Sequence, residues 1–273
     1  MSIQYPNKEN YTIEDLLRIV EHLRSDEGCP WDREQTHQSI RQDLLEETYE
    51  AAEAIDLQDT ELLKEELGDV LLQVVFHSRM EEEEGRFDFA QVCDGICRKL
   101  LLRHPHVFST VQADTTEQVL VNWEKIKQKS KGQSTQTEAV KSVPKTFPAL
   151  MRAQKVQKRA GKAGLDVPDA LWALEEAERA LDQLHKSILD GRKEQGEQEL
   201  GAALLALTQV ARKMDLNAEE ALSKATERFI CRFEQVEQLA TQQGICMDPQ
   251  NCHTLRTLWE QVNQTGGEPD SKQ

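Results

Sequence analysis

An all-α fold built from two tandem helical repeats is predicted by three features of the 273-residue sequence. Apolar residues recur at helical spacing along most of the chain, while runs of β-branched residues bounded by turns are scarce. The thirteen glycines and eight prolines fall mostly between the periodic segments. Four sequence blocks also recur in the same order, about 125 to 136 residues apart: EETYEAAEAI with EEAERALDQL, KEELGDVLLQVV with EQELGAALLALT, ICRKLLLRHPHVF with LSKATERFICRF, and VNWEKIK with TLWEQVN.

The first helix is expected over about residues 13 to 25, with Thr12 as N-cap and Ile13, Leu16, Leu17, Val20 and Leu23 as its apolar stripe. DEGCPWD breaks it. Two helices over about 35 to 56 and 60 to 84, joined by a short turn, should pack as an antiparallel hairpin. In that hairpin Leu45, Tyr49, Ala52 and Ile55 face Leu63, Leu67, Val70, Leu71 and Val74. A fourth helix runs from Asp88 to Pro105 and a fifth covers about 116 to 130. The polar segment that follows has no apolar period and reads as a linker.

The expected organisation is therefore a first repeat over 1–130, a linker over 131–147, a second repeat over 148–264 and a disordered tail over 265–273. The second repeat opens on a short basic helix, PALMRAQKVQKRAGKAG, and continues through four further helical segments.

Acidic residues outnumber basic ones 49 to 33, for a net charge of −16. That balance argues against nucleic acid or an anionic membrane as partner and fits a protein that recruits cations. No apolar run approaches a membrane span and the N-terminal stretch lacks a signal-like pattern, so a cytoplasmic protein is expected. Six dispersed cysteines without a CxxC pair predict reduced thiols, with Cys93 and Cys97 as packing residues.

The acids of the expected hairpin recur at a fixed step. Glu47 and Glu50 are three apart, as are Glu66 and Asp69, so each pair occupies neighbouring rows of one helix. On facing helices they would surround one or two hard cations, for which carboxylate oxygen is the preferred ligand. Without a cation, like charges about 5 Å apart cost roughly 3 kcal/mol per pair at an effective dielectric near 20. A solvated acidic helix face explains the same spacing, and periodicity does not separate the two. A di-iron bundle would need ExxH pairs, which these acids do not form, and no GxxxxGK[ST] phosphate loop is present.

GCPWDREQTHQSI, LLEETYE, EELGDVLLQVVFHS, EEGRFDF and KLLLRHPHVF, taken together and in that order, resemble the MazG family of nucleoside triphosphate pyrophosphohydrolases from about residue 13 to 262. The resemblance implies an all-α NTP pyrophosphatase fold, a homodimer, and Mg²⁺-dependent cleavage of nucleoside triphosphates to the monophosphate and diphosphate. Mn²⁺ would be a substitute metal. It further implies broad NTP and dNTP specificity and a part in clearing non-standard or excess nucleotides. Carried onto this sequence, the metal ligands are Glu47, Glu50, Glu66 and Asp69, and the phosphate contacts are Lys99 and Arg103.

Hydrolysis between the α and β phosphates needs an in-line water and positive charge on the departing diphosphate, both of which a divalent cation supplies. Glu46 or Glu47 would take the proton of the water. Trp31 and Trp123 would each stack on a base or serve as core.

The second repeat departs from this pattern. Glu176 and Glu199 match Glu47 and Glu66, but Arg179 stands opposite Glu50 and Ala202 opposite Asp69. A guanidinium beside the remaining acids offsets the charge that attracts Mg²⁺. The second repeat is therefore expected to serve association or residual nucleotide contact through Lys224, Arg228 and Trp259. The alternative for the whole chain is a catalytically weak nucleotide-binding regulator, in which the repeats mainly mediate association.

Overall fold

The computed structural model describes residues 5–109, 115, 118–119, 126 and 135–264, and every regular element among them is helical. The chain divides into two compact units, Met1–Lys127 and Gln128–Gln273. The expected fifth helix, including Trp123, falls mainly outside the described residues, as does the tail over 265–273.

In the first unit α1 spans Ile13–Leu23. Its capping box forms because the Asp15 carboxylate accepts from the Thr12 amide at 3.0 Å. Asp15 also meets Lys8 and the Tyr5 hydroxyl, and these partners hold its pKa down at about 2; Lys8 is the largest cause, followed by the Thr12 amide. The chain then turns sharply at Gly28, where a Cβ would lie 2.1 Å from the His22 carbonyl oxygen. Only glycine permits that approach.

A short helix α2, Pro30–Glu34, follows, and α3 spans Arg41–Leu57. The expected start of α3 near residue 35 is thus six residues early. Residues 35–40 instead form a turn closed by side chains: the Thr36 amide donates to Ser39 Oγ at 2.9 Å and the Ile40 amide to the Thr36 carbonyl. Serine and threonine compete with helix by such local bonds.

Helix α3 ends on Gln58 in the left-handed region, at φ 56°, and Asp59 then caps α4, Thr60–Glu83, by accepting from the Glu61 and Leu62 amides. This short turn makes α3 and α4 the expected packed hairpin. Its contact face differs from the one predicted. Ala51 and Ala54 are buried, whereas Tyr49, Ile55 and Leu67 are more than half exposed. The small alanines let the backbones approach, and that closeness rotates the larger apolar residues outward.

The core of this unit joins Val20 of α1, Ile40 and the α4 residues Val75, Phe76 and Met80, with Leu16, Leu17, Leu72 and Phe89 against it. Helix α5, Phe89–Arg103, is opened by an Asp88–Gln91 capping box and closed before Pro105; α6, Pro105–Phe108, completes the described part. Helix α5 packs on α4. All six cysteines are free thiols, and of the pair expected to pack, Cys93 is half-buried while Cys97 is exposed.

In the second unit the polar stretch read as a linker carries a helical turn, α7, Gln136–Lys141, capped by Thr135. Val143 just beyond it is 2% exposed, and the Arg159 guanidinium meets the Ala139 carbonyl and the Ser142 hydroxyl. One buried valine and one arginine bridge suffice to order a segment that has no period of its own.

The basic helix is α8, Ala149–Lys162, and it packs on α10 and α11. Helices α9, Ala170–Leu189, and α10, Lys193–Lys213, form the hairpin that corresponds to α3 and α4. Small residues again fill its seam: Ala173, Ala177, Ser187, Ala203 and Thr208 are buried. Helix α11, Ala218–Gln242, and α12, Cys252–Gln264, carry the unit's core of Val236, Ala240, Leu258 and Val262. Among the described residues no helix is long and apolar enough to cross a membrane.

Candidate functional site

The hairpin of α3 and α4 brings acids from both helices together. Ligand oxygens of Glu47, Glu66 and Asp69 lie within 4.8 Å of one another, and no other such group of His, Cys, Asp or Glu occurs among the described residues. Glu47, Glu66 and Asp69 are half-buried. Glu50 is exposed and falls outside that three-residue group, but its charge acts on both Glu47 and Glu66.

The electrostatics follow from that crowding. Burial, and then the charges of Asp69, Glu50 and Glu66, raise the pKa of Glu47. Glu66 is raised in the same way by burial, then Glu50, Asp69 and Glu65. Three hard oxygen donors held this close, with the Glu50 charge beside them, are chemically matched to a divalent cation such as Mg²⁺ or Mn²⁺. The local fold imposes the cluster: the i, i+3 pairs share helix faces, and the Gln58–Asp59 turn sets the two helices antiparallel.

The other predicted site residues are placed as follows. Glu46 lies outside the cluster, exposed, and accepts from Gln42 Nε2 at 3.1 Å. Lys99 is exposed on α5, and Arg103 is half-buried at its end. Trp31 is 63% exposed on α2, so its ring is surface rather than core. Trp123 lies outside the described residues.

One feature was missed by spacing. His77 of α4 stacks on His37, with the ring centroids 5.0 Å apart and the planes 8° from parallel. Forty residues separate the two in sequence, and no periodicity could have paired them.

In the second unit the matching positions are arranged differently. Arg179 forms an ion pair with Glu176 and lies 5.9 Å over the Trp172 ring. Glu199 is half-buried and Ala202 is exposed. Among the described residues of this unit no metal-competent group forms. Lys224 pairs with Glu220 at 2.5 Å, Arg228 is exposed, and Trp259 packs against Phe229 with centroids 4.9 Å apart and the planes tilted by 46°. The Trp259 ring also borders the unit's core, so part of its surface is committed to packing.

An all-α protein with a carboxylate cluster across an antiparallel helix hairpin belongs to the class of helical, divalent-metal-competent proteins. The comparisons are more specific. Residues 35–108 match the family model described as the MazG nucleotide pyrophosphohydrolase domain. The chain is 42% identical over 257 residues to a nucleoside triphosphate pyrophosphohydrolase of Escherichia coli K12, covering 92% of this chain and 96% of that one. It is 38% identical over 249 residues to the nucleoside triphosphate pyrophosphohydrolase/pyrophosphatase MazG of Thermotoga maritima, covering 91% and 94%. A nucleoside triphosphate pyrophosphohydrolase of Mycobacterium tuberculosis matches at 39% over 165 residues, 59% of this chain and 49% of that one. The chain belongs to the MazG family, whose members are named as hydrolases of an acid anhydride bond.

Proposed function

We propose that this protein is an Mg²⁺-dependent nucleoside triphosphate pyrophosphohydrolase, converting NTP and water to NMP and diphosphate, with its active site in the first repeat. The observation that carries the proposal is the Glu47, Glu66 and Asp69 cluster with Glu50 against it, in a chain of the MazG family. These four carboxylates would hold the metal. When bound, it supplies positive charge for activating water and for the departing diphosphate.

The chain's own residues supply the rest. Lys99 and Arg103, one turn apart on α5, are suited to the polyphosphate, since α5 packs on the ligand-bearing α4. Glu46 or Glu47 takes the proton of the attacking water. Trp31 presents an exposed ring on which any base can stack without its edges being read, which favours broad NTP and dNTP specificity. Trp123 is the second proposed stacking residue. Such breadth suits removal of non-standard or excess nucleotides in the cytoplasm. Incubation with each NTP and Mg²⁺ tests the reading: nucleoside monophosphate and inorganic diphosphate are expected, whereas nucleoside diphosphate and orthophosphate, or no turnover, would defeat it.

The two units are proposed as the two repeats, the second serving association or residual nucleotide contact through Lys224, Arg228 and Trp259. The Arg179–Glu176 pair favours this role, because a guanidinium already neutralises one of the two remaining acids. The homodimer is proposed from the apolar face left uncovered on the hairpin: Tyr49, Ile55, Leu67 and Leu71 are each 38–59% exposed. A patch of this kind marks an interaction surface, and a second copy closes it symmetrically. Sedimentation should give twice 31.2 kDa, and Leu67→Glu should shift the protein to monomer; a monomeric parent protein would sink the idea.

A further inference from the structure

The loop over residues 35–40 is tied to α4 by imidazoles. His37 Nδ1 and His77 Nδ1 are 2.7 Å apart, so one nitrogen donates to the other. On the far side of the His37 ring, Nε2 lies 2.7 Å from Glu81 Oε1. Glu81 is held ionised by Arg86, with which it forms an ion pair, and secondarily by His37. A carboxylate at Nε2 favours the proton there, leaves Nδ1 of His37 as acceptor, and makes His77 the donor. His77 Nε2 is then a bare, buried nitrogen without a protein partner.

The loop so tied is a single unit with α2. Gln35 Nε2 donates to the Trp31 carbonyl at 2.8 Å, and Ser39 Oγ donates to Gln35 Oε1 at 2.7 Å. We infer that the His37–His77 pair is a positioning device for the known family reaction: it fixes α2, and with it the Trp31 ring, relative to the α4 helix that carries Glu66 and Asp69. The inference rests on the proposed contact of Trp31 with the nucleotide base. Neither histidine touches the acid cluster; His77 lies two turns of α4 beyond Asp69.

The pair holds as long as at least one nitrogen at the junction is bare. Protonation of both rings would set two N–H groups head-on across 2.7 Å and open the tether. The charged groups around it are few. Glu81 faces His37, and Arg86 faces Glu81. On the α1 side, Glu21 and Arg24 are engaged with Arg79 and Glu83. Burial, and then the neighbouring His37, push the His77 pKa down, consistent with a junction built for neutral rings.

The test compares His77→Phe with His77→Asn, whose amide nitrogen falls near the position of Nδ1 and keeps a donor toward His37. With ATP and Mg²⁺ as probe, KM should rise about three- to tenfold in His77→Phe, the loss of one hydrogen bond, with kcat kept within about twofold. His77→Asn should restore KM. Because both rings must protonate to open the tether and His77 is pushed down, the wild-type KM should climb only well below the ordinary imidazole value of about 6.5, and both variants should lose part of that climb. Hydrogen exchange of residues 31–40 should accelerate in the Phe variant alone. If the Phe variant folds poorly, His37→Phe, placed in the loop, gives the same readouts without disturbing α4. Unchanged exchange and an unchanged KM profile would overturn the inference, as would equal behaviour of Phe and Asn. Accelerated exchange with unchanged KM would instead overturn the part assigned to Trp31, which Trp31→Ala checks separately.

Discussion

Asp69→Asn is expected to lower NTP turnover at least about a hundredfold, and Glu50→Ala likewise, whereas Glu176→Ala should leave it within about twofold. The asymmetry follows from the two hairpins. Asp69 contributes to the one such cluster among the described residues, with oxygens within 4.8 Å of each other, while Glu176 is already paired with Arg179. Asparagine is nearly isosteric with aspartate, so the loss reports charge rather than packing. Should Glu176→Ala abolish turnover while Asp69→Asn spares it, the active site has been assigned to the wrong repeat.

The same cluster sets a pH signature for the metal-free protein. Burial raises Glu47 and Glu66 above their unfolded values, so the folded state binds more protons than the unfolded state in the window above about pH 4.3. Stability from these groups is therefore present below that window and lost as pH rises through their folded pKa values. Mg²⁺ should reverse the trend, releasing protons and raising Tm most at neutral pH. Asp69→Asn should show a higher metal-free Tm than the parent protein and a smaller Mg²⁺ shift. A Tm that ignores Mg²⁺ at pH 7 would exclude a metal site here.

The largest loss of stability is expected from Arg24→Ala, about 1–3 kcal/mol for removing a buried charged donor from its acceptors. The side chain of Arg24 is only 6% exposed and binds Glu83 at 2.8 Å. It also donates to the Asp32 and Gln35 carbonyls, at 2.6 and 3.2 Å, and lies over the Phe76 ring. Truncation removes a donor from the Asp32 and Gln35 carbonyls and leaves the Glu83 carboxylate with Arg79 alone. Burial alone would raise Glu83, but Arg24 and then Arg79 hold its pKa below the ordinary value. That contribution is present above the unfolded carboxylate pKa and lost as pH falls through the depressed one. Urea titration of Arg24→Ala at pH 7 and pH 4 measures both effects; a loss below about 1 kcal/mol would show that the bridge is solvated after all.

Much of this was legible in the sequence because it depends on short-range order. Helix periods, the Thr12 and Asp88 caps, the α3–α4 turn and the three-residue acid steps are all set within one or two turns of chain. The duplicated blocks expose Arg179 and Ala202 as departures without any knowledge of shape. What sequence missed involves packing distance. The start of α3 depended on serine and threonine bonds that compete with helix, and the hairpin face depended on how closely Ala51 and Ala54 let two backbones approach. A periodic stripe names a helix face only to within the angle between adjacent residues, and the alanine seam moved it by one.

Sequence by itself determined the helical class and the repeated plan, since each is written in local spacing or in residue type; it offered the four acids through the family resemblance, not through spacing. Tertiary structure alone decided that Glu47 of α3 crowds against Glu66 and Asp69 of α4, that Trp31 stands exposed, and that His37 meets His77. Those are contacts between segments tens of residues apart, fixed by the summed packing of α1, α4 and α5 rather than by any local rule. The buried Arg24 bridge belongs with them: an arginine in an acid-rich chain reads as surface until the fold closes over it.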